Sequence, residues 1–288
     1  MNGPRPGQLA QLACILEATA RKPGNVHRFA DFEDCSYLDF LLSAAAIAGP
    51  LDRARDRPLG ATVLEAIEAT RALVASNTNL GIVLLLTPLA MLGDDDGPEA
   101  VSASLQRTTV DDARQVYQAI RLAQPGGLGR VEDQDIRDEP TVTLLEAMRQ
   151  AAGRDAIARQ YATGFADVYR GLGVLRAHLE AGSPLETAVI ATHLSLMKTC
   201  PDTLIARKLG PDAAIEAAKR AGAVLEAGWP NGAWGDLRAL DAWLRASGNA
   251  RNPGATADLV TAVLFLALRD GTIRLPLSRF ADHQASAS

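Results

Sequence analysis

Apolar residues along this chain recur at steps of three and four, the spacing that gathers them on one face of a helix. "QLAQLACILEATA", "DFLLSAAAIAG", "TVLEAIEATRALVAS", "TVDDARQVYQAIRLA", "PLETAVIATHLSLMKT" and "PDAAIEAAKRAGAVLEAG" carry it, as does the run from "TVTLLEAMRQ" to "VLRAHLEAG". Alanine is frequent in these stretches; it is the best helix former and small enough for close helix contacts. Alternating β-branched runs bounded by turn residues are almost absent, so strands are not expected. The pattern predicts an all-α fold: one compact multi-helix domain over 1–288, with buried central helices and a flexible tail over 276–288.

Boundary signals agree with that reading. Thr109 or Asp111 can cap the helix entered at "VDDARQV", and Pro184 follows Ser183 as a first-turn proline. Gly182, Gly228 and Gly271 stand where helices should end. "GDDDGPEAVSASLQRT" and "QPGGLGRVEDQDIRDEP" read as loops; the second is long enough either for a flap or for a plain surface excursion. Neither reads as an interdomain linker, and no fixed-period repeat is evident.

The balance of charge narrows the classes of function. With a net charge of −5, the chain has no basic excess for general nucleic-acid binding. Cys14, Cys35 and Cys200 are odd in number and form no CxxC pair, so neither a disulfide framework nor a zinc site is indicated. The first twenty residues make a poor signal peptide. The most apolar runs, "LGIVLLLTPLAML" and "LVTAVLFLAL", fall short of the roughly 18–20 residues that span a bilayer. The expectation is a cytoplasmic protein that binds neither nucleic acid nor membrane, with a homodimeric state left open.

Four polar constellations punctuate this apolar background. In "RKPGNVHRFADFEDCSYLDF", the Lys22-Pro23-Gly24-Asn25 turn is followed by Asp31, Glu33 and Asp34, hard oxygen ligands suited to Mg²⁺. The other reading of those acids is a solvated turn before a helix whose N-terminus Asp39 assists. In "ASNTNLGIVLLL", Asn77, Thr78 and Asn79 precede an apolar helix with Gly81 in its first turn. Those residues suit a helix cap or a phosphate held at the helix end. In "KTCPDTLIARKLG", Asp202 and Thr203 fall at a helix start, with the cations Arg207 and Lys208 beyond. In "RNPGATADLVTAVLFLAL", Asn252-Pro253-Gly254 makes a turn, Thr256 a cap, and Asp258 a first-turn acid. Small residues at 254, 255 and 257 would let a ligand approach the backbone. His27, His178, His193 and His283 form no metal pattern, and His193 reads as a satisfied core residue.

The order of these four motifs resembles the triphosphoribosyl-dephospho-CoA synthase family over about residues 17–270. The resemblance implies an all-helical transferase that takes ATP and 3′-dephospho-CoA. In that reaction the 2′-hydroxyl of the acceptor ribose attacks C1′ of the ATP ribose, adenine leaves, and the triphosphate stays on the transferred sugar. It further implies a Mg²⁺-loaded pocket with Asp31, Glu33 and Asp34 at the metal and Asp34, Asp202 and Asp258 as catalytic acids. Lys22, Gly24, Asn25, Asn77, Thr78, Asn79, Gly81, Thr203, Arg207, Lys208, Asn252, Gly254 and Thr256 would bind substrate, with Lys22, an exposed turn lysine, and Arg207 on the triphosphate. The four groups should then converge in space.

The chain departs from the family pattern at definite places. Asn-Thr-His-Lys-Gly becomes Asn77-Thr78-Asn79-Leu80-Gly81, and the His of a Gly-Ala-His segment after the first turn is missing. Ser-Pro-Gly-Gly-Ser-Ala-Asp becomes Asn252 through Asp258. Such a divergent branch suits a different acceptor, as in methanopterin or methanofuran synthesis. The competing readings are a metal-dependent nucleotide phosphohydrolase or phosphotransferase, and a non-catalytic nucleotide-binding partner.

Overall fold

A computed structural model describes residues 3–93, 97–125, 136–277 and 280. The described residues are all-α, with an isolated bridge between His27 and Ala30. The chain divides into two compact units, Met1–Ile15 with Asp34–Ala166, and Leu16–Glu33 with Asp167–Ser288. Helix α1 (Pro6–Thr19) therefore contributes to both.

The first unit holds α2 (Tyr37–Asp52), α3 (Leu59–Arg71), α4 (Leu80–Ala90), α5 (Pro98–Leu105), α6 (Val110–Ala123), α7 (Leu144–Ala151) and α8 (Ala156–Thr163). Helix α4 is apolar all round and is buried from Ile82 to Ala90. Its neighbours α2, α3, α5 and α8 cover it, as an all-apolar helix requires. Helices α3 and α6 pack closely where Gly60 has no side chain: a Cβ there would sit 2.6 Å from the Asp112 backbone. The Asp112 carboxylate receives the Gly60 N–H at 2.8 Å. It also closes a capping box with Thr109, so Thr109 rather than Asp111 caps α6.

The second unit holds α9 (Ala166–Glu180), α10 (Leu185–Thr199), α11 (Thr203–Leu209), α12 (Pro211–Glu226), α13 (Trp234–Arg245) and α14 (Gly254–Arg269). Its core joins Ile190, Leu194 and Met197 of α10 to Ile205, Ala217, Ala221, Trp229 and Leu240. Alanines on α12 allow the close packing against α10 that the sequence suggests. Gly182, Gly228 and Gly271 follow α9, α12 and α14 with φ of +81°, +99° and +78°, the left-handed geometry that ends a helix without strain. No helix among the described residues is long and apolar enough to cross a membrane.

Two expectations need correction here. The stretch 93–108 is not only loop: it contains α5, started by Pro98 and held by Val101, Ser104 and Leu105, which turn inward at helical spacing. Asp258 is the fifth residue of α14, not a first-turn acid, because that helix already begins at Gly254. Most of the second expected loop, 126–135, and most of the tail lie outside the described residues.

Candidate functional site

Three of the four polar constellations meet within the second unit. Gly24 has φ +77°, and a Cβ on it would lie 2.8 Å from Leu244 and 2.9 Å from Pro253, so only glycine fits. Its N–H donates to Asp241 at 2.8 Å, and Asp241 also pairs with Arg245 at 2.9 Å. Arg245 in turn donates to the backbone carbonyl of Asn25. The Asn25 side chain donates to Asn252 Oδ1 at 2.7 Å, which joins the first turn to the fourth.

The third and fourth motifs are joined through Asp202. As the N-cap of α11, its Oδ1 accepts from the N–H groups of Leu204 and Ile205 at 2.8 and 3.1 Å. Its Oδ2 accepts from the N–H and the hydroxyl of Thr256 at 2.7 and 2.8 Å. Thr256 is thus no cap of its own helix; the N-cap position of α14 is Pro253, and Asp202 serves in its place. Burial raises the Asp202 carboxyl above its usual range, and its four donors only partly oppose that. With both oxygens committed to four donors, Asp202 is a structural tie, not the free catalytic acid of the sequence reading. Gly254 is similarly accounted for: a Cβ would sit 2.7 Å from Leu204, so its smallness serves packing between α11 and α14. Lys208 donates to the backbone and side chain of Asn249 at 2.9 and 3.2 Å, and so steadies the loop that leads into Asn252.

Lys22 departs most from expectation. It is wholly buried, not exposed. Its ammonium pairs with Glu17 at 2.9 Å and donates to the carbonyls of Glu17 and Ala20. Burial raises the Glu17 carboxyl, and Lys22 pulls it back. Removing one partner of such a pair strands the other charge, at a cost of about 3–5 kcal/mol. Lys22 therefore secures the Pro23-Gly24-Asn25 turn from beneath.

The acids behave differently from the ligand set predicted for them. Asp31, Glu33 and Asp34 are all exposed. Among the described residues no group of three or more His, Cys, Asp or Glu is gathered as for a metal. The three carboxylates accordingly do not fit a resident metal centre. Asp39 matches the alternative reading: it closes a capping box with Ser36 at the start of α2.

The second constellation belongs to the first unit, and each of its polar residues has a partner there. Asn77 Oδ1 accepts from the Leu80 N–H at 3.2 Å, Asn79 donates to Thr70 at 2.9 Å, and Thr78 shares a hydrogen bond with Ser43. Three polar residues in a row thus have structural tasks: Asn77 receives the first N–H of α4, in place of a side-chain cap from Asn79, and the other two tie the helix to α2 and α3. Gly81 lies within the first turn of α4, as expected.

Sequence reasoning passed over Asp241 and Arg245, whose role is set by a turn more than 200 positions away and leaves no local mark. It also set aside His27, two residues after Asn25 and buried at 8% exposure. Its place directly after a motif turn was the available signal. His193 proves to be a core residue as expected; among the described residues its ring nitrogens make no well-formed hydrogen bond, and only the Pro23 backbone acts on them as a polar neighbour.

Comparison with known proteins places these motifs in context. Residues 4–275 match the family described as ATP:dephospho-CoA triphosphoribosyl transferase. No curated protein matches the chain. Among solved structures, one from Archaeoglobus fulgidus, named as a candidate triphosphoribosyl-dephospho-CoA synthase, is 27% identical with a TM-score of 0.64. The similarity covers 80% of this chain and 99% of that one.

Proposed function

Because this chain belongs to the ATP:dephospho-CoA triphosphoribosyl transferase family, we propose that it moves the 5-triphosphoribosyl group of ATP to the ribose 2′-hydroxyl of 3′-dephospho-CoA, or of a related cofactor precursor, and releases adenine. The observation that carries this reading is the interlocking of three family-like turns. Lys22–Asn25, Pro201–Thr203 and Asn252–Thr256 are tied through Asn25, Asp202 and Gly254.

In the transfer, the bond from C1′ to N9 of ATP breaks, a bond from the acceptor oxygen to C1′ forms, and the hydroxyl proton leaves with adenine. Positive charge develops on the sugar, so a neighbouring carboxylate lowers the barrier. Asp258 is the acid we assign to the acceptor hydroxyl, since Asp202 has no oxygen to spare. Arg207, near the end of α11, is the cation we assign to the triphosphate. Mg²⁺ belongs to this scheme as the companion of ATP, bound chiefly by phosphate oxygens with at most one or two carboxylates.

Incubation with ATP, Mg²⁺ and dephospho-CoA should release free adenine, and Asp258→Asn should slow that release by about a hundredfold or more. ADP or AMP without adenine would replace this reading with phosphohydrolysis. Ligand-dependent thermal stabilisation without any turnover would replace it with a binding role.

A further inference from the structure

The segment after the Lys22–Asn25 turn closes into a tight tip. The His27 N–H donates to the Ala30 carbonyl at 3.0 Å and the Ala30 N–H returns the bond at 2.9 Å, leaving Arg28 and Phe29 at the apex. Phe29 is 67% exposed, the most exposed large apolar side chain among the described residues. It does not flop freely. Its N–H donates to Nδ1 of His27 at 3.2 Å, and the Arg28 guanidinium lies 4.7 Å from its ring centroid. Arg28 is itself fixed by the Thr19 carbonyl at 2.8 Å and by Glu186 at 3.0 Å.

The bond to Nδ1 determines the chemistry of His27. A nitrogen that accepts carries no proton, so the imidazole proton sits on Nε2. Among the described residues nothing receives that proton, although the ring is otherwise buried. Burial and the charges of Arg245, Lys22 and Arg28 push His27 down to about 4, with Asp241 opposing, so the ring stays neutral near pH 7. The result is a fixed neutral donor beside an exposed aromatic ring, 6.4 Å between centroids and edge to face.

Charge decides which ligand suits such a pair. Lys22 is matched by Glu17 and Arg245 by Asp241, while Arg28 shares Glu186 with Arg21. Exposed Asp31 and Glu33 follow in sequence. The guanidiniums of Arg28 and Arg245 are already committed to carboxylates, and the acids that follow disfavour a phosphate, which needs uncompensated cations or bare N–H groups. A flat, neutral heteroaromatic ring with acceptor nitrogens matches both parts.

We propose that this tip is a subsite for a purine ring, with Phe29 stacking on its face and the Nε2–H of His27 donating to one of its ring nitrogens. The proposal rests on the function given above, in which both substrates carry adenine, and it assigns the tip to that base and not to the triphosphate.

Adenosine, which has the base and no phosphate, is the probe, with binding followed by calorimetry. Phe29→Ala should weaken adenosine binding roughly five- to a hundredfold, the range of one base–aromatic stack. His27→Asn keeps an acceptor for the Phe29 N–H but has no donor at the Nε2 position, and should weaken binding about fivefold or more. His27→Gln, which reaches an N–H to that position, should restore most of it. Inorganic triphosphate should bind all variants as it binds the parent. A parent that ignores adenosine, or variants that bind it as tightly as the parent, would overturn the subsite even if adenine is released from ATP. Conversely, loss of adenosine binding in the variants of a protein that releases no adenine would uphold the subsite and sink the reaction.

Discussion

Two helix entries look alike in sequence and are completed in different ways. Helix α4 follows Asn77-Thr78-Asn79, and α14 follows Asn252-Pro253-Gly254; both lead from small polar residues into an apolar, buried helix. At α4 the N–H of Leu80, the first residue of the helix, is met by Asn77, three residues back. At α14 the N–H and hydroxyl of Thr256 are met by Asp202, 54 positions away, and the same carboxylate caps α11. A local cap serves one helix and little else. A remote cap couples two helices, along with the turns that lead into them, so its loss should be felt in folding and in the candidate site together. His193 is a third case, a buried polar group that no side chain among the described residues completes and on which only the Pro23 backbone acts.

Substitution can separate the three cases. Asp202→Ala leaves four donors without an acceptor, and each buried unsatisfied group costs about 1–3 kcal/mol. Chemical denaturation should therefore show a loss of at least about 3 kcal/mol; a loss below about 1 kcal/mol would mean that α11 and α14 are not coupled in this way.

The next effect has the opposite sign. His193→Leu removes two ring nitrogens that lack a well-formed hydrogen bond in the core and should stabilise the protein by about 1–3 kcal/mol near neutral pH. Burial first, then the charge of Lys22, push His193 down to about 3, with the Pro23 backbone opposing. A histidine lowered in this way contributes stability that is present above its unfolded pKa of about 6.5 and is lost as pH falls towards 3. The parent should thus weaken steadily between about pH 6.5 and pH 3, and His193→Leu should flatten that limb. An unchanged acid limb in the variant would show that His193 is not held neutral by burial in this way.

The smallest effect belongs to the local cap. Asn77→Ala should cost about 1 kcal/mol. It should leave adenine release unaltered if Asn77 only caps α4, and a larger fall in turnover than in stability would restore it as a substrate contact.

How much of this was readable in advance depends on the distance over which each residue acts. The helices of both units follow from apolar spacing, and the ends of α9, α12 and α14 from their glycines, because periodicity and left-handed geometry act within a few residues. The first cap of α6 was narrowed to Thr109 or Asp111 for the same reason. Helix α5 was missed because a proline and small residues read locally as loop, although Val101 and Leu105 find a core to enter.

The four motifs, and through them the family, were likewise written in the sequence, since recognition needs only residue identity and order. The roles within the motifs were not. Lys22 reads as a surface cation until Glu17 is seen beneath it, and Asp202 reads as an active acid until its four donors are counted. His27 reads as incidental until the Phe29 N–H assigns its proton. A charged or polar side chain has one sequence identity but several physical states, and burial and hydrogen-bond partners choose among them. Those partners come from positions up to 227 residues away, as between Asn25 and Asn252, so only the folded chain could decide which polar residues hold the structure and which remain to meet a ligand.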